Sequence, residues 1–336
     1  MSLLGRFVSR HLEKPTHLPR WARLVASPWS VVSARSVCRP LSLPRGKHVI
    51  GIGGATLGGS YKTPLAIRLC EALSKRGVRV ALVGHAYGGQ VAEARPVDRC
   101  DMVQEVGDDA LYAARELAAV GVEVVVGPSR QAAIDRAARL AEVLVVDGLL
   151  QSRPQRIARS LLVLDSADPW GSGHCPPIGD LRAPPRALLG AADAIAWVGE
   201  RGASRPDDFE WLRARHEVGI EIAGTSSSDS ESLLAPQALA KMRLGLVLAI
   251  ARPHRVLVAL GRLGVVPETT VLFADHEVPS VREITRAMHH GERPAAWLTT
   301  KKCATKLPTF IDAAPVLTIQ QNMELAVEIV DWSLPR

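Results

Sequence analysis

At 336 residues, 47% hydrophobic and 22% charged, the chain is globular, long enough for two domains and able to bury a sizeable core. Its 41 lysines and arginines against 34 acidic residues leave a formal charge of +7, which favours anionic partners. Scattered single arginines and only 4% aromatics argue against nucleic-acid recognition. No stretch reaches the roughly 18 apolar residues of a spanning helix, and five dispersed cysteines without a CxxC pair fit reduced thiols in the cytosol rather than a disulfide framework.

In residues 1–40, Leu3, Leu4, Phe7, Val8 and Leu12 recur at helical spacing with Arg6, Arg10 and Lys14 off that stripe. A second stretch, 21–37, mixes Trp21, Leu24, Trp29 and Val32 with arginines. A basic amphipathic segment of this kind suits a membrane interface, and it equally suits a helix packed on its own domain. From residue 47 strand and helix alternate: strand HVIGIGG, a helix over 62–75, strand VRVALVG, a helix over 108–118, strand VEVVVG, a helix over 130–140, and strands EVLVVDG and SLLVLDS. Continuous Val/Leu/Ile runs indicate strands buried on both faces, and their alternation with helices predicts a mostly parallel sheet.

The polar run AGTSSSDSE, 223–231, reads as a surface loop or hinge. Beyond it the pattern predicts a helix near 236–251, strand TTVLFAD, a helix over 279–289, strand AAWLTT and a final helix near 322–332. The expected fold class is therefore α/β: a P-loop NTPase-like, mostly parallel sheet flanked by helices over 41–222, a second smaller α/β unit over 223–336, and the amphipathic segment over 1–40.

The chemistry centres on GGATLGGSYKTP, 53–64. Lys62 and Thr63 follow a strand and a glycine-rich turn and open a helix, the setting of a P-loop. There Thr56, Gly58, Gly59, Ser60, Tyr61, Lys62 and Thr63 would cradle phosphates with backbone N–H groups. The lysine would neutralise β- and γ-phosphates, and the Thr63 hydroxyl would ligate magnesium. The strict pattern GxxxxGK[ST] is broken by Thr56 and Tyr61, which leaves an ordinary glycine-rich turn as the other reading. Asp147, at the tip of VLVVD, is a Walker B-like magnesium ligand or the first residue of a turn at Gly148.

Eight segments occur together and in order: GGSYKTP, VGHAYGG, VGDDALYAARE, VVVGPSR, VLVVDGLLQ, GSGHCPPIGDLRAP, FADHE and LTTKKCATKL. With them the chain resembles the tetraacyldisaccharide 4′-kinases over roughly residues 20–320. The resemblance implies ATP and Mg²⁺ as cofactors, and transfer of the γ-phosphate to the 4′-hydroxyl of an acylated disaccharide 1-phosphate, the lipid A precursor. It also implies peripheral attachment to the cytoplasmic face of the bacterial inner membrane, where the segment 1–40 would meet the lipid surface.

By the same resemblance Asp108 is the base acting on the hydroxyl and His276 its partner, Asp109 helps hold magnesium, and Arg130 and Arg182 contact substrate phosphate. Read on their own, Asp108 is a candidate helix N-cap, and His276 and the two arginines are ordinary surface residues. The chain departs from the family pattern at Tyr61, His85, Val146, Leu150, Gln151, Ala183, Lys301 and Cys303. Two other readings therefore stand beside the kinase: a relative that binds nucleotide or lipid without turnover, and another membrane-attached P-loop ATPase.

Overall fold

Seven residues, His48–Gly54, form the central strand β1, and all but the first are buried. The structure, a computed structural model, describes residues 31–32, 41–151, 159–176, 178–199, 215–227, 230–288 and 293–335. The amphipathic segment expected over 1–40 lies outside these residues apart from 31–32. The chain divides into two units, one running to Ile220 and resuming at Met323, the other spanning Glu221–Asn322.

In the first unit β1 is followed by α1 (Lys62–Lys75), β2 (Val80–Val83), the two-residue β3 (Arg95–Pro96), α2 (Val103–Val106), α3 (Asp108–Leu117), β4 (Glu123–Val126) and α4 (Arg130–Ala137). Then come β5 (Val143–Asp147), β6 (Arg159–Asp165), α5 (Pro185–Gly190), β7 (Ala194–Gly199) and the first half of β8 (Arg215–Ser227). The sheet order is β3–β4–β2–β5–β1–β6–β7–β8, parallel throughout except for β3 at the edge.

The period-2 alternation of strand side chains sorts the core into two layers. Ile50, Ile52, Val143 and Val145 face one side with Leu65, Leu69 and Leu73 of α1 and Leu111 and Leu117 of α3. Val49, Val83, Leu144 and Val146 face the other with Ala133, Ile134 and Ala137 of α4. Each large side chain so buried contributes about 1.5–3 kcal/mol of transfer free energy, which is why these strands are apolar on both faces.

The last helix, α10 (Val327–Ser333), belongs to this unit. Met323, Ile329 and Val330 join the α1/α3 layer, Arg159 Nε donates to Trp332 O at 2.8 Å, and His48 Nε2 lies 3.0 Å from Ser333 O. The expectation that 223–336 stays together thus differs from the structure: the terminal apolar residues find their burial on the P-loop unit.

The second unit contains the rest of β8, then β9 (Ser230–Leu234), α6 (Pro236–Leu239), β10 (Leu244–Leu248), α7 (Pro253–Arg262) and β11 (Thr269–Leu272). It continues with α8 (Val281–Ala287), β12 (Ala296–Thr300), α9 (Lys301–Ala304), β13 (Phe310–Ile311) and β14 (Ala314–Leu325). Strands β11–β10–β12–β14 are parallel neighbours.

Three expectations are corrected here. The described part of the serine-rich run is strand, not loop: β8 extends through Ser227 and pairs antiparallel with β9, which begins at Ser230. Within the unit Ser226 Oγ lies 3.3 Å from Thr318 Oγ1. The helix expected near 236–251 is the short α6 followed by β10, all five residues of which are buried. The final helix begins at Val327, because 314–325 is strand. No described helix is long and apolar enough to cross a membrane.

Candidate functional site

The site is built where open parallel sheets place ligands, at the carboxyl ends of the strands. β1 ends at Gly54, where a Cβ would stand 2.0 Å from Ser60 Oγ, so only glycine lets the following loop fold back onto the strand tip. That loop is pinned from outside. Leu57 N donates to Asp180 O at 2.8 Å, Arg182 N donates to Ala55 O at 2.7 Å, and Thr56 bridges to Leu181. Thr56 and Ser60 are buried, and Thr56 Oγ1 donates to Gly58 O at 2.8 Å.

Gly59 and Tyr61 both adopt left-handed backbone, with φ of 65° and 59°. Tyr61 therefore holds the conformation that a glycine adopts without strain, at a cost of about 1–2 kcal/mol for a residue with a Cβ. The loop geometry is kept while the ring packs against the α1/α3 layer. Lys62 opens α1, and its Nζ folds back to donate to Ser60 Oγ at 3.2 Å.

Thr63 Oγ1 donates to Asp147 Oδ2 at 2.5 Å, joining the helix start to the tip of β5. Asp147 is buried, and its Oδ1 has no hydrogen-bond partner. Burial pushes its carboxyl above the usual carboxylate range. The charge of Lys62 and the Thr63 bond pull it down, Asp109 pushes it up, and Arg130 pulls it down. A hydroxyl beside a buried carboxylate with one oxygen unused is a hard oxygen donor set suited to a divalent cation. Val146, next to Asp147 on β5, packs in the α4 layer on the opposite sheet face.

Asp109 stands in the first turn of α3, where acidic groups complement the helix dipole. Asp108, also buried, is the first helical residue. The N-cap is Gly107, φ 84°, so the capping role considered for Asp108 is not the one it takes. A Cβ on Gly107 would meet Tyr87 O at 2.9 Å, so the 86–89 turn packs directly on the start of α3.

Arg130 begins α4 and donates through Nη1 to Asp147 O. Burial lowers its guanidinium below the ordinary arginine value. Arg182 precedes α5 and donates through Nη2 to Leu57 O at 3.3 Å. Burial, together with the positive charge of Arg130, brings Arg182 down to about 10, so it is cationic at neutral pH.

The first unit thus gathers Lys62, Thr63, Asp147, Asp109, Arg130 and Arg182, with Asp108 beside Asp109. His276 lies in the second unit, after β11. It is the third residue of a turn in which Glu277 N donates to Ala274 O at 3.0 Å and Ala274 N donates to Glu277 Oε2 at 3.0 Å. Its φ is 62°. Its neighbour Asp275 and the more distant Lys302 form a cluster with it that motif matching did not single out, although both stand inside the segments FADHE and LTTKKCATKL.

A parallel sheet whose first strand turns through a phosphate-type loop into a helix, with Lys62 over the loop and Thr63 bonded to a buried strand-end aspartate, defines a P-loop-like α/β protein. Residues 30–332 match the family model described as tetraacyldisaccharide-1-P 4′-kinase, and the chain belongs to that family. It is 31% identical to the tetraacyldisaccharide 4′-kinase of Anaeromyxobacter dehalogenans strain 2CP-C, over 80% of this chain and 75% of that protein. It is 33% identical to that of Chromobacterium violaceum, over 86% and 83%. The fold matches the crystal structure of LpxK from Aquifex aeolicus in complex with ATP, with a TM-score of 0.68 at 20% identity, covering 93% of this chain and 98% of that one.

Proposed function

We propose that the chain is an ATP-dependent lipid kinase that transfers the γ-phosphate of ATP to the 4′-hydroxyl of tetraacyldisaccharide 1-phosphate in lipid A biosynthesis. The observation that carries this, within the family, is the bond from Thr63 to buried Asp147 beneath a loop whose lysine folds over it.

Phosphoryl transfer asks little covalent work of a protein and much positioning and charge compensation. In this reading the loop N–H groups from 56 to 63 and Lys62 hold the β- and γ-phosphates. Thr63, Asp147 and Asp109 are the residues that would hold magnesium, whose contribution when bound is to offset charge on the phosphate oxygens. Asp108 takes the proton from the 4′-hydroxyl as its oxygen bonds to Pγ and the bond from Pγ to the β-bridging oxygen breaks, releasing ADP. His276 is its histidine partner by family resemblance. Arg130 and Arg182 supply cationic donors for phosphate, Arg182 retaining its charge at neutral pH. In this reading the enzyme meets its acylated acceptor as a peripheral protein at the cytoplasmic face of the inner membrane, with the segment 1–40 as the membrane-associating part.

Transfer of labelled phosphate from ATP to the disaccharide 1-phosphate in detergent tests the reading. Wild type should form the 1,4′-bisphosphate, and Asp108→Asn should lose at least about a hundredfold in kcat with ATP affinity retained. Nucleotide binding by wild type with no lipid product would instead identify a relative that binds without turnover.

Tyr61→Gly gives a second check. Because the backbone at 61 already holds the left-handed conformation, ATP affinity by calorimetric titration should stay within about threefold of wild type. A gain of about tenfold or more would show that the ring obstructs phosphate rather than merely replacing glycine.

A further inference from the structure

We infer that Asp275 and Lys302 are a positioning pair for His276, fixing its ring with the proton on Nε2 so that Nδ1 is left for the reaction. The inference rests on the reading of His276 as the histidine of the acid–base pair.

The geometry lies wholly within the second unit. Asp275 Oδ1 accepts the backbone N–H of His276 at 3.1 Å and the ammonium of Lys302 at 3.3 Å. Asp275 Oδ2 lies 3.3 Å from His276 Nε2. One carboxylate therefore addresses both the backbone and the ring of the same histidine, and a lysine holds the carboxylate. The three side chains are only 18–20% exposed, so water competes weakly for these contacts.

Each member is held by its own element. His276 sits in the closed turn 274–277 at a backbone conformation unusual for a residue with a side chain. Lys302 is carried by α9, which is capped by Thr300 through Cys303 N at 3.3 Å. The α9 turn is anchored by buried Cys303, whose Sγ accepts Ala249 N at 3.3 Å. Thr305 Oγ1 donates to Lys302 O at 2.6 Å and closes the turn behind it. The loop after β11 and the helix after β12 are thus joined across the end of the sheet by Asp275.

A carboxylate beside one ring nitrogen favours the tautomer protonated there and fixes the ring plane. The lysine holds that carboxylate in place. Asp275 and Lys302 act through His276 and touch no reacting atom in this role.

The test uses the full chain with ¹⁵N-labelled histidine, His276 resonances being assigned by their loss in His276→Ala. Wild type should show His276 mainly as the Nε2-protonated tautomer, and Asp275→Asn and Lys302→Met should both shift the tautomer balance. Kinetically, each should lower kcat about tenfold with KM for both substrates within about twofold. The double variant should be no worse than Asp275→Asn alone, and Lys302→Arg should recover most of the activity. If Lys302→Met does not fold by its thermal transition, Lys302→Gln replaces it.

An unchanged tautomer in both single variants, or additive losses in the double variant, overturns the pair. Unchanged turnover in His276→Ala would refute the role of His276 in the reaction, and the nitrogen shifts would still decide whether Asp275 and Lys302 orient the ring.

Discussion

Lys62→Ala is expected to lower phosphoryl transfer at least about a hundredfold, the size of effect that follows removal of one preorganised charge or donor aimed at the transferring group. The side chain opens α1 and reaches back over the loop to Ser60 Oγ, 3.2 Å away, so its ammonium sits above the backbone that would cradle the phosphates. Arg130 and Arg182 each spend one donor on a carbonyl, of Asp147 and of Leu57, and neither is carried by the loop itself, so neither takes the place of the Lys62 ammonium. Lys62→Arg should recover little, because a planar guanidinium cannot reproduce a compact point charge in a loop closed around the lysine stem. The measurement is kcat and KM with ATP and the disaccharide 1-phosphate for wild type and both variants. Near-normal kcat in Lys62→Ala would show that the reaction centre has been placed in the wrong loop.

Asp147→Asn should separate activity from stability. Burial dominates the environment of this carboxyl and pushes it above its ordinary range even against Lys62, Thr63 and Arg130. For an acid whose folded-state value is raised, the sign is clear: the ionised form costs stability at pH above the folded value, and the cost is relieved as pH falls toward the unfolded value. Asparagine keeps an acceptor for Thr63 Oγ1 and removes the charge. At neutral pH and without nucleotide the variant should therefore melt about 2 °C higher, as roughly 1 kcal/mol would produce in a unit of this size. Transfer should fall at least about a hundredfold if Asp147 is the cation ligand proposed above, since a neutral amide would then stand in its place. A variant melting lower than wild type would mean that the paired charge stabilises the fold, and unimpaired transfer would remove Asp147 from the metal site.

Much of the first unit was legible because both-face burial leaves an unambiguous record. The runs HVIGIGG and VLVVD correspond to β1 and β5, and the helix expected over 62–75 is α1, Lys62–Lys75. The second unit was less legible for a definite reason. LGLVL is a five-residue apolar run, too short for its period to distinguish helix from strand, and Pro236 upstream suggested a helix that ends at Leu239. The serines of 223–227 looked like loop because polar composition outweighed their alternation. The folded register shows what the hydroxyl of Ser226 meets, Thr318 and Gln320 of β14.

Local sequence determined that there is a strand–loop–helix phosphate motif with a lysine and a hydroxyl at its end, because those features lie within a dozen residues and need no distant partner. Residues far apart in the chain decided the rest. The segment 180–182 pins the loop so that Tyr61 holds a glycine conformation, and Asp147 arrives under Thr63 only because β5 pairs with β1 in register. Val146 turns away from the site because neighbouring strand residues face opposite layers, and Asp275 meets Lys302 only because β11 and β12 flank β10. Hydrogen bonding and burial between residues distant in sequence are properties of the folded register, and no local pattern encodes that register by itself.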